Sequence, residues 1–310
     1  MLEHILAATD LTWRSEVAIA RALELSTRFK ARITLLHVVE QDQPGSYVED
    51  EIRHARQALQ EEADRLGPSA GGAVTVQVVA GDPLEQIGDM ASNLGAQLIV
   101  MGRHRRRPLR DLFTGTTVER VIWRGTHPVL MVKRTPEGPY RSIGMATDFS
   151  DTSATALQEA RSLGLLDDAR LRVIHARMPF AMALLAAHAN VDAVRQHAQA
   201  EMQEASTEMQ AFLEKCGRSD LMNRLYLDEG EPVDVLRAWV ERENPDLLVM
   251  GTHGHTWAQR YQPPVAGQRG RSRPAHAGTG YPCRASAQGG LMRPDRSPVT
   301  TDAPGCSSQP

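Results

Sequence analysis

Residues 98–120 decide how this chain is read: Leu98-Ile99-Val100-Met101-Gly102-Arg103-His104-Arg105-Arg106-Arg107-Pro108-Leu109-Arg110-Asp111-Leu112-Phe113-Thr114-Gly115-Thr116-Thr117-Val118-Glu119-Arg120. The apolar run at its head predicts a buried parallel strand. Thr116 and Glu119 have the spacing of a capping box, which predicts a helix start. A glycine therefore follows a strand, and a Gly-Thr pair opens a helix. That is one way to present backbone amides and a helix N-terminus to a phosphate. A glycine turn followed by an ordinary cap explains the same residues, so the stretch needs its surroundings.

Upstream, strand and helix patterns alternate. His4-Ile5-Leu6-Ala7-Ala8-Thr9-Asp10 is a short apolar strand closed by an aspartate, and Ser15 to Phe29 has apolar residues at helical spacing. A strand follows from Ala31 to Val39, then a polar loop over 41–47 and an amphipathic helix over 48–66. A third strand over 74–79 leads through Gly81-Asp82-Pro83 into a helix over 84–94, and a strand over 97–101 enters the opening stretch. A helix over 117–124 and a last strand, His127-Pro128-Val129-Leu130-Met131-Val132, complete the unit. Such alternation predicts a doubly wound parallel sheet with right-handed crossovers.

After a Pro- and Gly-containing linker over 134–139 the pattern restarts. Thr147-Asp148 and His175 repeat Thr9-Asp10 and His37 at an offset of 138 residues. Gly230-Glu231-Pro232 and Met250-Gly251 repeat Gly81-Asp82-Pro83 and Met101-Gly102 at 149. The two offsets place one 11-residue insertion between the second and third strands of the second copy, within a helix-rich stretch over 177–216. Its methionines, Met178, Met182, Met202 and Met209, read as gap-filling core more readily than as a binding face.

From Trp257 onward there is no Ile, Phe, Lys or Glu, and Pro, Gly, Arg, Ser and Ala dominate. Such a composition buries too little apolar surface to offset its ordering entropy, so 257–310 is expected to be disordered. A flexible arginine tail for acidic partners is one reading of it. A reading-frame shift near codon 256 is another: joining the last base of each codon to the first two of the next gives glycine at 257 and permits Gly-Ser at 264–265. The expected architecture is α/β, with two doubly wound, open parallel-sheet (Rossmann-like) domains in tandem over 1–134 and 140–256. The second lacks its last helix and strand and is followed by the tail.

Composition narrows the function. Hydrophobic residues at 41% and charged residues at 24% fit a soluble globular protein, and a net charge of −3 favours neither nucleic acid nor a membrane surface. The three cysteines, Cys216, Cys283 and Cys306, have no metal-ligand spacing, which fits a reducing, cytoplasmic setting. No signal peptide is evident, and no apolar run nears the ~18 residues that a membrane span needs.

Taken together, strand-Thr-Asp, Leu-Leu-His-Val, Gly-x-Pro and Met-Gly-x-His resemble the universal stress protein family in its tandem-domain form, over about 5–134 and 142–256. The family's nucleotide signature is a glycine, two residues, a second glycine, nine residues, then Gly-Ser or Gly-Thr. Gly102 and Gly115-Thr116 match it in the first copy, with Arg105 at the middle glycine; Gly251 and Gly254 match in the second, without the third element. Some members of the family bind ATP and others do not. The ATP-binding members imply that Asp10 and Val38 contact ribose and adenine, and that Met101, Gly102, Gly115, Thr116 and Thr117 wrap ribose and phosphates. Asp148, Ala176, Met250, Gly251 and Gly254 are the second copy's counterparts. Arg105 has three readings: it occludes the pocket, clamps a phosphate bidentately with its arginine neighbours, or belongs to a solvated basic loop.

Each of the remaining candidates has a structural reading beside the functional one. Asp10 caps a helix as readily as it binds ribose, and His104 and His253 read as loop structure before catalysis. His37 and His175 read as core or pocket-rim residues before metal ligands. No Walker-type phosphate loop, paired carboxylates, nucleophile-base pair or metal cluster is present, and Asp111 and Glu119 are explained as a helix-face charge and a cap. The resemblance therefore implies a cytoplasmic stress-response protein that binds adenine nucleotide, ATP with Mg, in a regulatory role. A nucleotide-free dimerising interaction protein is the alternative, and a slow nucleotide hydrolase ranks third. Family members pair domains through the last strand, which implies self-association through 127–132.

Overall fold

The computed structural model describes residues 1–41, 45–102, 117, 121–122, 127–177 and 191–251, without the side chains of 14 and 191–202. The first sheet comprises β1 (His4–Ala8), β2 (Arg32–Val39), β3 (Val74–Ala80), β4 (Leu98–Gly102) and β5 (Val129–Val132), with helices α1 (Trp13–Phe29), α2 (Gly45–Leu66) and α3 (Pro83–Leu94). The second comprises β6 (Ser142–Ala146), β7 (Arg170–Arg177), β8 (Leu225–Glu229) and β9 (Leu247–Met250), with α4 (Asp151–Ser162), α5 (Val191–Lys215) and α6 (Pro232–Glu243). All pairings are parallel. The strand orders are β3-β2-β1-β4-β5 and β8-β7-β6-β9, so the two sheets share one α/β plan.

Alternation along the central strand builds the layers. Ile5 and Ala7 of β1 join the core that α1 and α2 close, while Leu6 and Ala8 join Leu36, Ile87, Ile99 and Met101 beneath α3. The boundaries differ from expectation by a few residues. Helix α2 begins at Gly45 rather than Val48, β4 runs one residue later to Gly102, and β5 begins at Val129. Met209 on α5 is fully buried, as a core residue should be, and Cys216 is a buried free thiol. The capping box at 116–119, the helix expected over 117–124 except Thr117, Val121 and Ile122, and the tail from 257 lie outside the described residues.

Caps follow local chemistry. Asp82 accepts the amide of Leu84 at 2.7 Å at the start of α3, with Pro83 in its first turn, and Gly95 closes the helix at φ 63°. At the lower end of the first sheet, a buried polar chain crosses three strands. His4 Nε2 meets Thr34 Oγ1 at 2.8 Å, Thr34 Oγ1 meets Thr75 Oγ1 at 2.9 Å, and His4 Nδ1 meets the Leu94 carbonyl at 3.1 Å. Burial lowers the His4 pKa despite the opposing pull of the Leu94 carbonyl, so the neutral ring is the form this chain holds.

The second sheet solves one packing problem differently from the first. Gly144 of β6 stands where β1 has Leu6, and Trp239 of α6 stands where α3 has Met90. A Cβ on Gly144 would lie 2.6 Å from the Trp239 ring, which is 1% exposed. The large residue has moved from strand to helix, and the strand has given up its side chain to admit it. Gly144→Leu should therefore destabilise the protein by roughly 1–3 kcal/mol. Adding Trp239→Met, which reproduces the first copy's pair, should recover part of the loss, and urea denaturation of the single and double variants measures this coupling.

Candidate functional site

In both sheets the first helix carries the chain from the central strand to one side, and the third returns it to the other. The direction of winding therefore reverses between β1 and β4, and between β6 and β9. A crevice opens at the carboxyl ends of such a pair, and this is where open α/β sheets take ligands. Ala8 pairs with Met101 and Ala146 with Met250, so Asp10 follows one lip and Gly102 ends the other, with Asp148 and Gly251 as counterparts.

The turn after the central strand has the same hydrogen bonds in both copies. Thr9 N–H donates to the Leu36 carbonyl, and Thr147 N–H to the Ile174 carbonyl, each at 2.9 Å. Leu11 N–H donates to Thr9 Oγ1 at 3.0 Å and Phe149 N–H to Thr147 Oγ1 at 2.9 Å. The amides of Thr12 and Ser150 donate to Oδ1 of Asp10 and Asp148, each at 3.1 Å. The hydroxyls of Thr12 and Ser15 also donate to Asp10 Oδ1, and those of Ser150 and Ser153 to Asp148 Oδ1. Leu11 and Phe149 are held at φ 58° and 63°, a left-handed conformation that non-glycine residues adopt rarely.

These contacts set the charge of the site. Burial pushes the Asp10 carboxyl up, but hydrogen bonds from Ser15 and Thr12 outweigh it and hold the pKa below the ordinary carboxylate value. The aspartate thus closes a turn just ahead of α1 rather than capping the helix itself; in the second copy the cap is Ser150, whose hydroxyl accepts the Ser153 amide. Among the described residues every hydrogen bond to the Asp10 carboxylate converges on Oδ1. His37 and His175 point back into the fold, each with Nδ1 at 2.9 and 2.8 Å from the carbonyls of Thr9 and Thr147. His175 also stacks on Phe149 with ring centroids 4.1 Å apart, and burial lowers its pKa.

Val38 and Ala176 are half-buried near the ends of β2 and β7. Met101 is 6% exposed, whereas Met250 is 38% exposed; β4 is flanked by β5, and among the described residues β9 has no strand on its outer side. A Cβ on Gly251 would lie 2.9 Å from the backbone of Thr152 and Ser153 in the first turn of α4. Packing alone thus demands a glycine there, whatever it binds. Thr117 is helical and half-buried; Arg105, Gly115, Thr116 and Gly254, with His104, His253, Asp111 and Glu119, lie outside the described residues. Among the described residues no cluster of three His, Cys, Asp or Glu side chains is placed to hold a metal.

The universal stress protein family model matches residues 1–133 and again 139–262. The chain belongs to the universal stress protein family. It is 27% identical over 156 residues to universal stress protein MJ0577 of Methanocaldococcus jannaschii, spanning 43% of this chain and 96% of that protein. It is 28% identical over 142 residues to MJ0531 of the same organism, spanning 43% of this chain and 84% of that protein. Among solved structures, a universal stress protein from Archaeoglobus fulgidus superposes with a TM-score of 0.59 at 21% identity, over 81% of this chain and 86% of its own. That likeness shows the fold, and its coverage agrees with two universal stress protein units in one chain.

Sequence reasoning found the aspartates and strand-end glycines but missed the serines. Ser15 and Ser153 follow the aspartates by five residues in both copies, and that repeated spacing was the signal that could have exposed them. Ser15→Ala should raise the Asp10 pKa toward the ordinary carboxylate value by removing one donor to Oδ1, which a carboxyl-carbon NMR titration measures directly.

Proposed function

We propose that the chain is a cytoplasmic regulatory protein that binds adenine nucleotide, ATP with Mg, in the crevice between β1 and β4. The observation that carries this reading is the placement of an ionised Asp10 and the Met101-Gly102 strand end on the two lips of the switch point. Asp10 Oδ2 offers an acceptor for a ribose hydroxyl, and Val38 offers apolar surface for the base. Met101, Gly102, Gly115, Thr116 and Thr117 supply the ribose and phosphate contacts, and Arg105 takes the middle-glycine position of the sequence signature. The second crevice, with Asp148, Ala176, Met250, Gly251 and Gly254, is a degenerate counterpart: its strand β9 is half-exposed, and at the spacing of the third signature element from Gly254 the sequence has Pro264-Val265 instead of Gly-Ser or Gly-Thr.

The role is regulatory rather than catalytic. Each aspartate holds a turn together through several hydrogen bonds, which suits binding and positioning more than proton transfer. Among the described residues no helix is long and apolar enough to cross a membrane, in keeping with a cytoplasmic place of action. A ligand that binds only the folded state at a hundred times its dissociation constant adds about 2.7 kcal/mol of stability. Mg-ATP should therefore raise the melting temperature of the full chain by several degrees, and Asp10→Ala should abolish the shift. An unchanged melting temperature at millimolar Mg-ATP overturns the proposal. In the same assay Arg105→Gly enlarges the shift if the arginine occludes the pocket and diminishes it if the arginine clamps a phosphate.

A second reading, a nucleotide-free protein that acts by self-association, is favoured by β5. Among the described residues it is one of the two edge strands of the first sheet, and Met131 on it is 40% exposed. The segment 127–132 should pair with a second copy, so light scattering should detect a dimer that Met131→Lys weakens at equal concentration. A strictly monomeric wild-type chain across that range contradicts the pairing.

A further inference from the structure

Away from both crevices, a groove of about 1010 Å³ lies between the flank of α1 and the start of the second sheet. Leu23 and Tyr140 give it apolar surface, and Arg28, Arg141 and Arg170 give it charge. Arg141 immediately precedes β6 and Arg170 opens β7, where Ser142 pairs with Arg170. The Arg170 amide donates to the Arg141 carbonyl at 2.7 Å, so the two arginines stand on adjoining segments. Among the described residues neither guanidinium has a carboxylate or hydrogen-bond partner. Arg28 Nη2 donates to the Asp167 carbonyl at 3.1 Å, but its Nη1 is buried without a partner.

Glu24 and Asp168 also line the groove, but among the described residues none of the neighbouring carboxylates is hydrogen-bonded to the Arg141 or Arg170 side chains. Glu24 is held by Arg21 at 2.8 Å, and Asp246 Oδ2 accepts the amides of Arg141 and Ser142 at 2.8 and 2.9 Å. Asp168 reaches Arg28 only at 4.0 Å, with its side chain 99% exposed, a geometry that contributes little. Guanidinium groups in the plural select phosphate, which they bind bidentately. The groove's volume suits a small molecule, and junctions between domains are common places for such sites.

We propose that this groove binds a small phosphorylated molecule, its phosphate on Arg28, Arg141 and Arg170 and its apolar body against Leu23 and Tyr140. Such a ligand joins a helix of the first universal stress protein unit to two strands of the second. The site is separate from the nucleotide crevices and does not depend on the reading given to them.

Calorimetric titration of the full chain with inorganic pyrophosphate tests the proposal. Saturable binding is expected, weakened at least tenfold by the double variant Arg141→Gln, Arg170→Gln. Both side chains are exposed, so the fold should survive, and an unchanged melting temperature without ligand checks this. Arg53→Gln with Arg56→Gln, the same charge change on the outer face of α2, should leave the affinity unaltered. The proposal is overturned if the wild-type chain shows no saturable binding or if binding survives the Arg141 and Arg170 changes. An equal loss in the α2 control, which would mark general charge attraction, also overturns it.

Discussion

The turn from central strand to first helix is tied by a single carboxylate oxygen, and the rest of each unit is arranged around that tie. Asp10 Oδ1 gathers an amide and two hydroxyls, and Asp148 Oδ1 does the same. The bonds fix where α1 and α4 begin, hold Leu11 and Phe149 in a conformation they would otherwise avoid, and keep a charge at the crevice mouth. Hydrogen bonds to an ionised group are stronger than neutral ones, which is how the turn sustains left-handed residues without glycine. That the pattern recurs 138 residues later, with Ser for Thr and Phe for Leu, shows that the geometry is kept while its side chains vary.

Much of this was legible in the sequence because strand-helix alternation and a constant repeat offset are local signals. The apolar runs at Ile5-Leu6-Ala7 and Leu98-Ile99-Val100 could hardly be anything but buried parallel strands, and both are. The candidate site was legible only as positions. Asp10 and Gly102 were identifiable, but not that one oxygen of Asp10 gathers two hydroxyls, or that Gly251 is required by the first turn of α4. The first is a matter of side-chain direction within one turn, which spacing hints at but does not fix; the second brings together residues far apart in the chain, where no periodicity reports it. The start of α2 at Gly45 was missed for a simpler reason: glycine and serine read as loop, and a long amphipathic helix overrides them at its end.

The copies have diverged where their surroundings differ. Exchanging Leu6 and Met90 for Gly144 and Trp239 conserves the filled space between strand and helix while reversing which element fills it. On β9, which among the described residues has no outer neighbour, Met250 is open where Met101 is closed. The polar chain of His4, Thr34 and Thr75 has no counterpart either: Ser142 and Arg172 occupy the first two positions, and Arg172 instead pairs with Glu243 at 2.6 Å. Duplication has preserved the crevice turns more faithfully than the interior that supports them.

Helix α1 begins at the Asp10 turn and, further along, carries Arg21 and Arg28. Arg21 is nearly buried, donates to the Gly138 carbonyl at 2.8 Å and lies 4.3 Å from the centre of the Tyr140 ring. Burial in turn pushes the Tyr140 phenol up to about 12, so it stays neutral beneath the cation. A helix of 17 residues is a stiff rod about 25 Å long. One end of that rod carries the Asp10 turn, and its far half is seated against the linker and the second unit through Arg21 and Arg28. Any tilt that re-pairing of Asp10 imposes on α1 must shift a desolvated cation against an aromatic face. The same helix that the carboxylate ties at one end is thus anchored at the other by a cation lodged between two units.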